Sequence, residues 1–493
     1  MENLTHAQLL SFSAVKQTGN RAGCFYTHIE TDSRKIDASG VFFALPGVAS
    51  HGWDYLDKVA SLGGRVAVVP RHLKLSHPII ELIHVDEPAS VLIKCLHHMV
   101  GLPPKRLVAV TGTNGKSSIC FYLTQMAQAA GFSSGLIGTF GVGPLDQLQE
   151  ARQTTPDLLA MHQLLSQMAE QGVDFVAFEA SSHALDQGRL YGVPFQTAVF
   201  SNLSRDHLDY HGTMEAYAQA KRRLFSFPSV EQAVLCLDDP QAAFMAEVVS
   251  DQVNTFYYSE SNEKADFYVR DLQFHPAGCE FILCHPEGQA LVFLPLLGRF
   301  NIQNALAALA SLWPFFEDKS LLIAALQGLK GAPGRMEKVS TEALLDATNR
   351  PTVVVDYAHT PDALKVALTA LKEHSSGRVV CVFGCGGDRD RGKRPIMLST
   401  ALQYADDVWL TSDNPRTESP EQILRDAAEG VSEQAVYQVE VDRRVAITKA
   451  IASANSKDIV LIAGKGHETY QDIQGVKHHF DDKEEALKGL ASC

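Results

Sequence analysis

The sequence predicts an α/β protein of three domains, each built on its own sheet, and three observations predict it. Short apolar runs rich in β-branched residues alternate with helix-forming stretches along the chain. Two hinge-like segments, Gly101-Leu-Pro-Pro-Lys-Arg106 and Gly331-Ala-Pro-Gly334, interrupt that alternation. The chain has 493 residues, and at about 150 residues per domain that length suits roughly three cores. The expected boundaries are 1–102, a small N-terminal α/β domain; 103–333, a central parallel-sheet domain; and 334–493, a Rossmann-like domain.

In the first domain Val41–Leu45, Val66–Val69 and Ile79–Ile83 read as strands, and Ala89–Met99 as a helix with Pro88 at its start. In the second, Leu107–Val110, Phe175–Phe178 and Thr197–Phe200 read as buried parallel strands. Ile119–Ala130, Met214–Leu224 and Ala305–Trp313 read as helices. In the third, the strands are Val353–Val355, Val379–Phe383, Asp407–Leu410 and Ile459–Ile462. The turn Gly384-Cys-Gly-Gly387 has the wrong spacing for a dinucleotide fingerprint.

The segment Val108-Ala-Val-Thr-Gly-Thr-Asn-Gly-Lys-Ser-Ser118 carries the most specific chemistry. A strand leads into a glycine loop, and a helix follows. Gly112 and Gly115 let backbone N–H groups turn toward an anion, Lys116 adds a point charge, and Ser117 offers a hydroxyl to Mg²⁺. The helix N-terminus favours phosphate. The general Walker pattern has glycine where this chain has Val110, so the loop is a shortened variant of a P-loop. Open α/β sheets bind ligands beyond the carboxyl ends of their strands, which is where the polar loops after Phe175–Phe178 and Thr197–Phe200 fall.

Bulk composition excludes other classes. Hydrophobic content of 45% and charged content of 20% are those of a globular protein. A net charge of −14 argues against non-specific nucleic-acid binding. No apolar run reaches the roughly 20 residues of a membrane span, and Met1-Glu-Asn-Leu-Thr-His6 is not followed by a secretory pattern. The nine cysteines are scattered without zinc spacing and are expected to be reduced. A cytoplasmic protein without nucleic-acid or membrane partners is expected, and a monomer.

Six motifs in order resemble the Mur ligase family across all three domains: Thr111-Gly-Thr-Asn-Gly-Lys-Ser117, Glu179-Ala-Ser-Ser-His183, Ser201-Asn-Leu-Ser-Arg-Asp-His207, Asn301-Ile-Gln-Asn304, Gly334-Arg335 and Asp413-Asn-Pro-Arg416. The resemblance implies an ATP-dependent amide ligase of peptidoglycan precursor synthesis. It implies that the branch adds meso-diaminopimelate to the D-glutamate of UDP-N-acetylmuramoyl-L-alanyl-D-glutamate through an acyl phosphate. Lysine-adding and folylpolyglutamate-type ligases are the alternatives. A nucleotide-binding scaffold without turnover is a third, and Lys116, Glu179, His207 and Lys221 speak against it.

The same resemblance implies the site. Gly112, Thr113, Asn114, Gly115, Lys116, Ser117 and Ser118 would hold ATP phosphates, Asn304 the adenine, and Arg335 and Asp356 phosphate and ribose. Taken alone, Asn304 could equally cap the helix Ala305–Trp313. Two Mg²⁺ ions would be held by Ser117, Glu179, His207 and Lys221, the last carbamylated by CO₂. From the residues alone, Glu179 could be a helix cap or a solvated strand end, His207 a plain hydrogen-bonding residue, and Lys221 part of a solvated basic face with Arg222 and Arg223. The UDP-substrate would meet Thr31, Ser33, Val48, Ala49, Ser50, Gln153, Thr154, Thr155, Ser181, Gln187 and Arg189. Thr154-Thr-Pro-Asp157 is also a good helix start with no ligand at all. Diaminopimelate would meet Arg389, Asp413, Asn414, Pro415, Arg416, Gly464 and Glu468. Arg416 is the informative member, because its planar fork fits the distal carboxylate that lysine lacks. ATP would be complete only when the third domain closes onto the second.

Overall fold

The computed structural model describes residues 2–15, 21, 23–47, 50–339, 350–432 and 434–492. The chain divides into two compact units, Met1–Phe256 and Tyr257–Cys493. The α/β class expected from the sequence is observed, with a small sheet, a central mainly parallel sheet and a Rossmann-like sheet in succession.

The first unit opens with a parallel sheet of β1 (His28–Glu30), β2 (Gly40–Phe43), β3 (Val66–Pro70) and β4 (Glu81–Val85). Alternate residues of β2 and β3 face two cores. Val41, Phe43, Val66 and Val68 pack one side, and Phe42, Ala44, Ala67 and Val69 the other. Two expected strands are shifted. The first starts at Gly40 and ends at Phe43 rather than Leu45. The strand expected at Ile79–Ile83 begins at Glu81. The amides of Ile79 and Ile80 donate to the His77 ring Nδ1 (3.2 and 3.1 Å), which takes them out of the ladder. Helix α1 (Pro88–Val100) carries proline in its first turn, as the sequence suggests.

The central sheet contains β5 (Arg106–Thr111), β6 (Ser134–Gly138), β7 (Gly141–Pro144), β8 (Phe175–Glu179), β9 (Thr197–Phe200), β10 (Gln232–Cys236) and β11 (Asn254–Tyr258). Their order is β11-β10-β9-β5-β8-β6-β7, so the phosphate-loop strand is flanked by β9 and β8. Both pairings are parallel, with Glu179 opposite Val110 and Phe200 opposite Thr111. Three loaded loops therefore leave the same edge of the sheet. Helices α2 (Lys116–Ala129), α3 (Leu158–Glu170), α4 (Ser182–Asp186) and α5 (Met214–Arg222) follow these strands.

The second unit carries an antiparallel three-stranded sheet, β12 (Tyr268–His275), β13 (Gly278–His285) and β14 (Gly288–Leu294), and helix α6 (Arg299–Leu312). That helix was expected to start at Ala305. It starts a turn and a half earlier, behind Gly298 at φ 87°, so Asn304 lies in its interior and does not cap it. The last sheet has the order β15-β16-β20-β17-β18-β19, comprising Glu337–Lys338, Thr352–Asp356, Ile459–Ala463, Val379–Cys385, Asp407–Ser412 and Gln438–Val439 respectively. Val354, Cys381, Phe383 and Leu461 enter one core, while Val353, Val355, Val380, Val382 and Ile462 enter the other. Both faces are covered, which is why these strands read as unbroken apolar runs. Helices α7 (Arg443–Ser453) and α8 (Asp482–Ala491) belong to one of these layers, through Ala446, Ile447, Ala486 and Leu490.

Candidate active site

The phosphate loop is clamped from the neighbouring strand end. Thr113 N donates to Asn202 O (2.8 Å), and Asn114 N to Asn202 Oδ1 (2.9 Å). Ser201 Oγ donates to Asn114 O (2.6 Å). A Cβ at Gly112 would overlap the Ser201 hydroxyl, and its φ of 150° also favours glycine. Lys116 begins α2 and folds back over the loop, its Nζ donating to the carbonyls of Gly112 and Thr113 (2.8 Å each). Ser117 is half-buried and Ser118 buried beside it.

Lys221 is not on a solvated basic face. Its side chain is 1% exposed, and its Nζ donates to Gly112 O (2.7 Å). The solvated-face reading survives only for Arg223, which is exposed and pairs Asp186; Arg222 is largely covered, lies over the Phe244 ring and pairs Glu247. Helix α5 explains the split, since Tyr217, Ala218, Ala220 and Lys221 share its inner face. Burial, with Lys116 nearby, holds the Lys221 amine well below the usual lysine range. Tyr217, one turn earlier, presents its ring 4.4 Å from Nζ and hydrogen-bonds Thr113 Oγ1 (3.1 Å). The i, i+4 spacing of Tyr217 and Lys221 is the sequence signal for this pairing.

Glu179 is 1% exposed, neither solvated nor a helix cap; Ser181 caps α4. Its Oε1 accepts the Thr139 N–H (2.6 Å). His207 has φ 52° and lies edge-on to His183, with ring centroids 4.9 Å apart. Among the described residues no group of three or more His, Cys, Asp and Glu is arranged to hold a metal by itself. That donor set fits Mg²⁺, which is usually held by one or two carboxylates together with substrate phosphates.

The residues expected around the sugar-peptide form one network. Arg189 donates to Gln153 Oε1 (2.9 Å), Thr155 O (2.9 Å) and Gln187 Oε1 (2.9 and 2.6 Å). Thr155 Oγ1 meets Ser181 Oγ (3.1 Å), and Thr139 Oγ1 meets Thr154 Oγ1 (3.4 Å). The helix-start reading of this segment also holds, for Asp157 caps α3 through Ala160 N. Thr31 is half-buried, Ser33 buried, and Ser50 hydrogen-bonds Tyr55 (2.8 Å). Between Thr31 and Ser33, the Arg34 guanidinium holds the Asp32 carboxyl down at about 2. Val48 and Ala49 lie outside the described residues.

In the second unit, Arg389, Asp413, Asn414, Arg416, Gly464 and Glu468 line one cavity of about 260 Å³. Pro415 is not among its lining residues. Tyr357, His359, Cys385 and Lys393, which the sequence reading left unassigned, also line it. So do Gly384 and Gly386 from the turn judged weak as a dinucleotide signal. The walls carry both signs of charge. Arg416, at φ 50°, is held by Arg416 N–H to Asp472 O (2.9 Å) and by Nη1 to Gly387 O (2.8 Å). Asn414 bonds Glu468 Oε2 (2.9 Å) and accepts from the fully buried Lys465 (3.2 Å). Beneath, Arg443 is 0% exposed and pairs Asp482 (2.7 Å). It also donates to Ser412 O (3.4 Å) and Ala463 O (3.0 Å), the residues just before Asp413 and Gly464. Arg394, also fully buried, joins Glu418 (2.7 Å) to Gly386 O (3.3 Å) and so ties two walls together.

The nucleotide residues expected of this unit are not themselves among that cavity's lining, although Asp356 immediately precedes Tyr357, which is. Asn304 is buried and donates to Asn301 Oδ1 (3.2 Å). Asp356 accepts Met336 N (2.7 Å) and Ala358 N (2.8 Å), and burial raises its carboxyl above the usual range. Arg335 lies over the Tyr357 ring.

Residues 110–312 match the family model of the Mur ligase middle domain, and residues 334–466 that of the Mur ligase glutamate ligase domain. The class is therefore an ATP-dependent ligase, with a phosphate loop on one parallel sheet and a charged cavity on another. Among curated relatives, the UDP-N-acetylmuramoyl-L-alanyl-D-glutamate--2,6-diaminopimelate ligases of Pseudomonas syringae pv. tomato and Pseudomonas aeruginosa are 41% and 42% identical. Each alignment covers 94% of both chains. A solved structure of a ligase of that name matches with TM-score 0.78 and 38% identity over 100% of this chain and 99% of its own. The chain belongs to the Mur ligase family. A Mycobacterium tuberculosis folylpolyglutamate synthase solved with ADP and AMPPCP shares the fold, with TM-score 0.57 at 19% identity over 76% of this chain and 91% of its own.

Proposed function

We propose that this chain adds meso-diaminopimelate to the D-glutamyl residue of UDP-N-acetylmuramoyl-L-alanyl-D-glutamate at the expense of ATP. The observation that carries the reading is the cavity of about 260 Å³, whose lining includes Arg416 and Arg389 together with Asp413 and Glu468. An amino acid with two ammonium groups and two carboxylates meets complementary charge there. Relatives at about 40% identity over nearly the whole chain bear that activity in their names.

In the proposed reaction the γ-carboxylate of D-glutamate attacks the γ-phosphorus of ATP, giving an acyl phosphate and ADP. The amine at the L-centre of diaminopimelate then attacks the acyl carbon, and the tetrahedral intermediate expels phosphate. Lys116 leaves the loop carbonyls and follows the charge on the moving phosphoryl group. Arg189, pre-set by Gln153 and Gln187, holds the sugar-peptide with Thr154, Thr155 and Ser181. Thr31, Ser33, Val48, Ala49 and Ser50 take the uridine diphosphate. Asn304 is assigned to adenine, and Arg335 and Asp356 to phosphate and ribose. Arg416 orients the distal carboxylate, and Glu468 the distal ammonium.

Ser117, Glu179, His207 and a carbamylated Lys221 are the proposed holders of two Mg²⁺ ions, which when bound screen the phosphate charge. Burial favours the neutral Lys221 amine, and only a neutral amine can add to CO₂ and release a proton to become a carbamate. The ATP requirement fits a cytoplasmic reaction; among the described residues no helix is long and apolar enough to cross a membrane.

A phosphate-release assay tests the reading. Phosphate and tripeptide product are expected only when ATP, the UDP-dipeptide and meso-diaminopimelate are all present. Equal turnover with L-lysine, or turnover with a folate in place of the UDP-dipeptide, would overturn it.

A further inference from the structure

Tyr357 sits where three segments of the second unit meet, and no motif assigns it a role. It follows β16 directly and lines the charged cavity. The Arg335 guanidinium lies over its ring, 4.7 Å from the centroid. The His467 ring is 5.5 Å away at 32°. Asp356 accepts Met336 N with one oxygen and Ala358 N with the other, so one carboxylate ties the Arg335 turn to the Tyr357 turn. The Asp356 carbonyl accepts Gly464 N (3.0 Å), which ties in the segment bearing Gly464 and Glu468.

The backbones of these segments approach closely. A Cβ at Gly334 would overlap the Gly466 and His467 backbone, and one at Gly466 would lie 2.7 Å from Tyr357 Cβ. Both glycines have positive φ, 60° and 55°. The Arg335–Tyr357 stack is half-buried and the same ring borders the cavity, so what holds Arg335 and what fills the cavity both bear on the ring.

We propose that Tyr357 is a positioning residue that couples nucleotide binding to amino-acid binding. Arg335, drawn onto an ATP phosphate, fixes the ring against the wall of the amino-acid cavity, and a filled cavity fixes the ring beneath Arg335. The inference rests on the assignment of Arg335 to ATP and deepens it. Such coupling is reciprocal, so each ligand tightens the other by one factor.

Calorimetry on the full chain tests it, with meso-diaminopimelate titrated with and without Mg²⁺ and a non-hydrolysable ATP analogue. The analogue is expected to tighten diaminopimelate by roughly 5- to 20-fold in the wild type, the lower part of the range typical of coupled sites. Tyr357→Phe keeps that factor, because the ring remains. Tyr357→Leu brings it below about twofold, whereas a purely structural role would weaken both ligands and leave the factor unchanged. Absence of coupling in the wild type, or full coupling in Tyr357→Leu, overturns the proposal. Arg335→Gln separates the two layers. Unchanged analogue affinity in that variant defeats the assignment of Arg335 to ATP. Weakened affinity with coupling intact in Tyr357→Leu defeats only the role of Tyr357. Should Tyr357→Leu fail to fold by circular dichroism, Arg335→Gln carries the same comparison: a lost factor supports the coupling and a retained one overturns it.

Discussion

The phosphate loop and the charged cavity proposed for the amino acid hold charge in opposite ways. In the loop, the cations are satisfied by the protein's own backbone, since Lys116 and Lys221 both donate to the Gly112 carbonyl. In the cavity, Arg416 spends one guanidinium nitrogen on Gly387 O and keeps its place at the wall of an open space of about 260 Å³. On the proposed reading the first site exchanges partners when phosphate arrives, while the second is largely pre-formed. Preorganisation favours selectivity, and exchange favours a charge that moves during the reaction.

The largest expected effect falls on the loop. Lys116→Ala should lower turnover by at least ~10³ while circular dichroism stays unchanged, since removing one charge stabiliser typically costs about 10²–10³ and this one is proposed to follow the transferred group. Wild-type turnover in the folded variant would break the comparison at its first term. Lys221→Ala should lose about 10²–10³ by the same reasoning. It should recover part of its activity with a short-chain carboxylic acid, which would stand in for the charge of the proposed carbamate. Full activity without the additive would return Lys221 to a packing role. Arg416→Ala should cost about 2–3 kcal/mol in catalytic efficiency for diaminopimelate, or roughly 30- to 150-fold, at the lower end for a charged contact because the side chain is half-buried. Activity with L-lysine should stay low in both proteins. An unaltered ratio between the two amino acids would place selectivity on another residue.

The two sites also differ in how far the sequence discloses them. The loop is contiguous, and its strand, glycines and lysine can be read in one pass. Glu179 and His207 were readable because each lies at or just beyond the end of an apolar strand. The cavity is assembled from four strand ends, so Tyr357, Lys393 and Cys385 could not be placed beside Arg416 without the sheet order. Lys221 shows the limit of composition. Beside Arg222 and Arg223 it reads as surface, and only the docking of α5 reveals that it is buried. The start of α6 was misplaced for a related reason: Asn304 suits a cap, but Gly298 supplies the turn and the helix runs through the asparagine. The shift of β4 to Glu81 rests on a histidine ring taking two amides, which no periodicity encodes.

The pairing of Arg443 with Asp482 has a consequence for how the protein tolerates change near its carboxyl end. Asp482 opens α8, a helix that supplies none of the cavity's lining, yet its carboxylate neutralises the guanidinium that braces the carbonyls before Asp413 and Gly464. Both side chains are wholly inaccessible, and a buried cation stripped of its counter-charge costs about 3–5 kcal/mol. The final helix thus acts as a keystone: trimming that begins beyond Asp482 nibbles at an apolar layer, whereas trimming that includes it lets the arch over the amino-acid cavity sag.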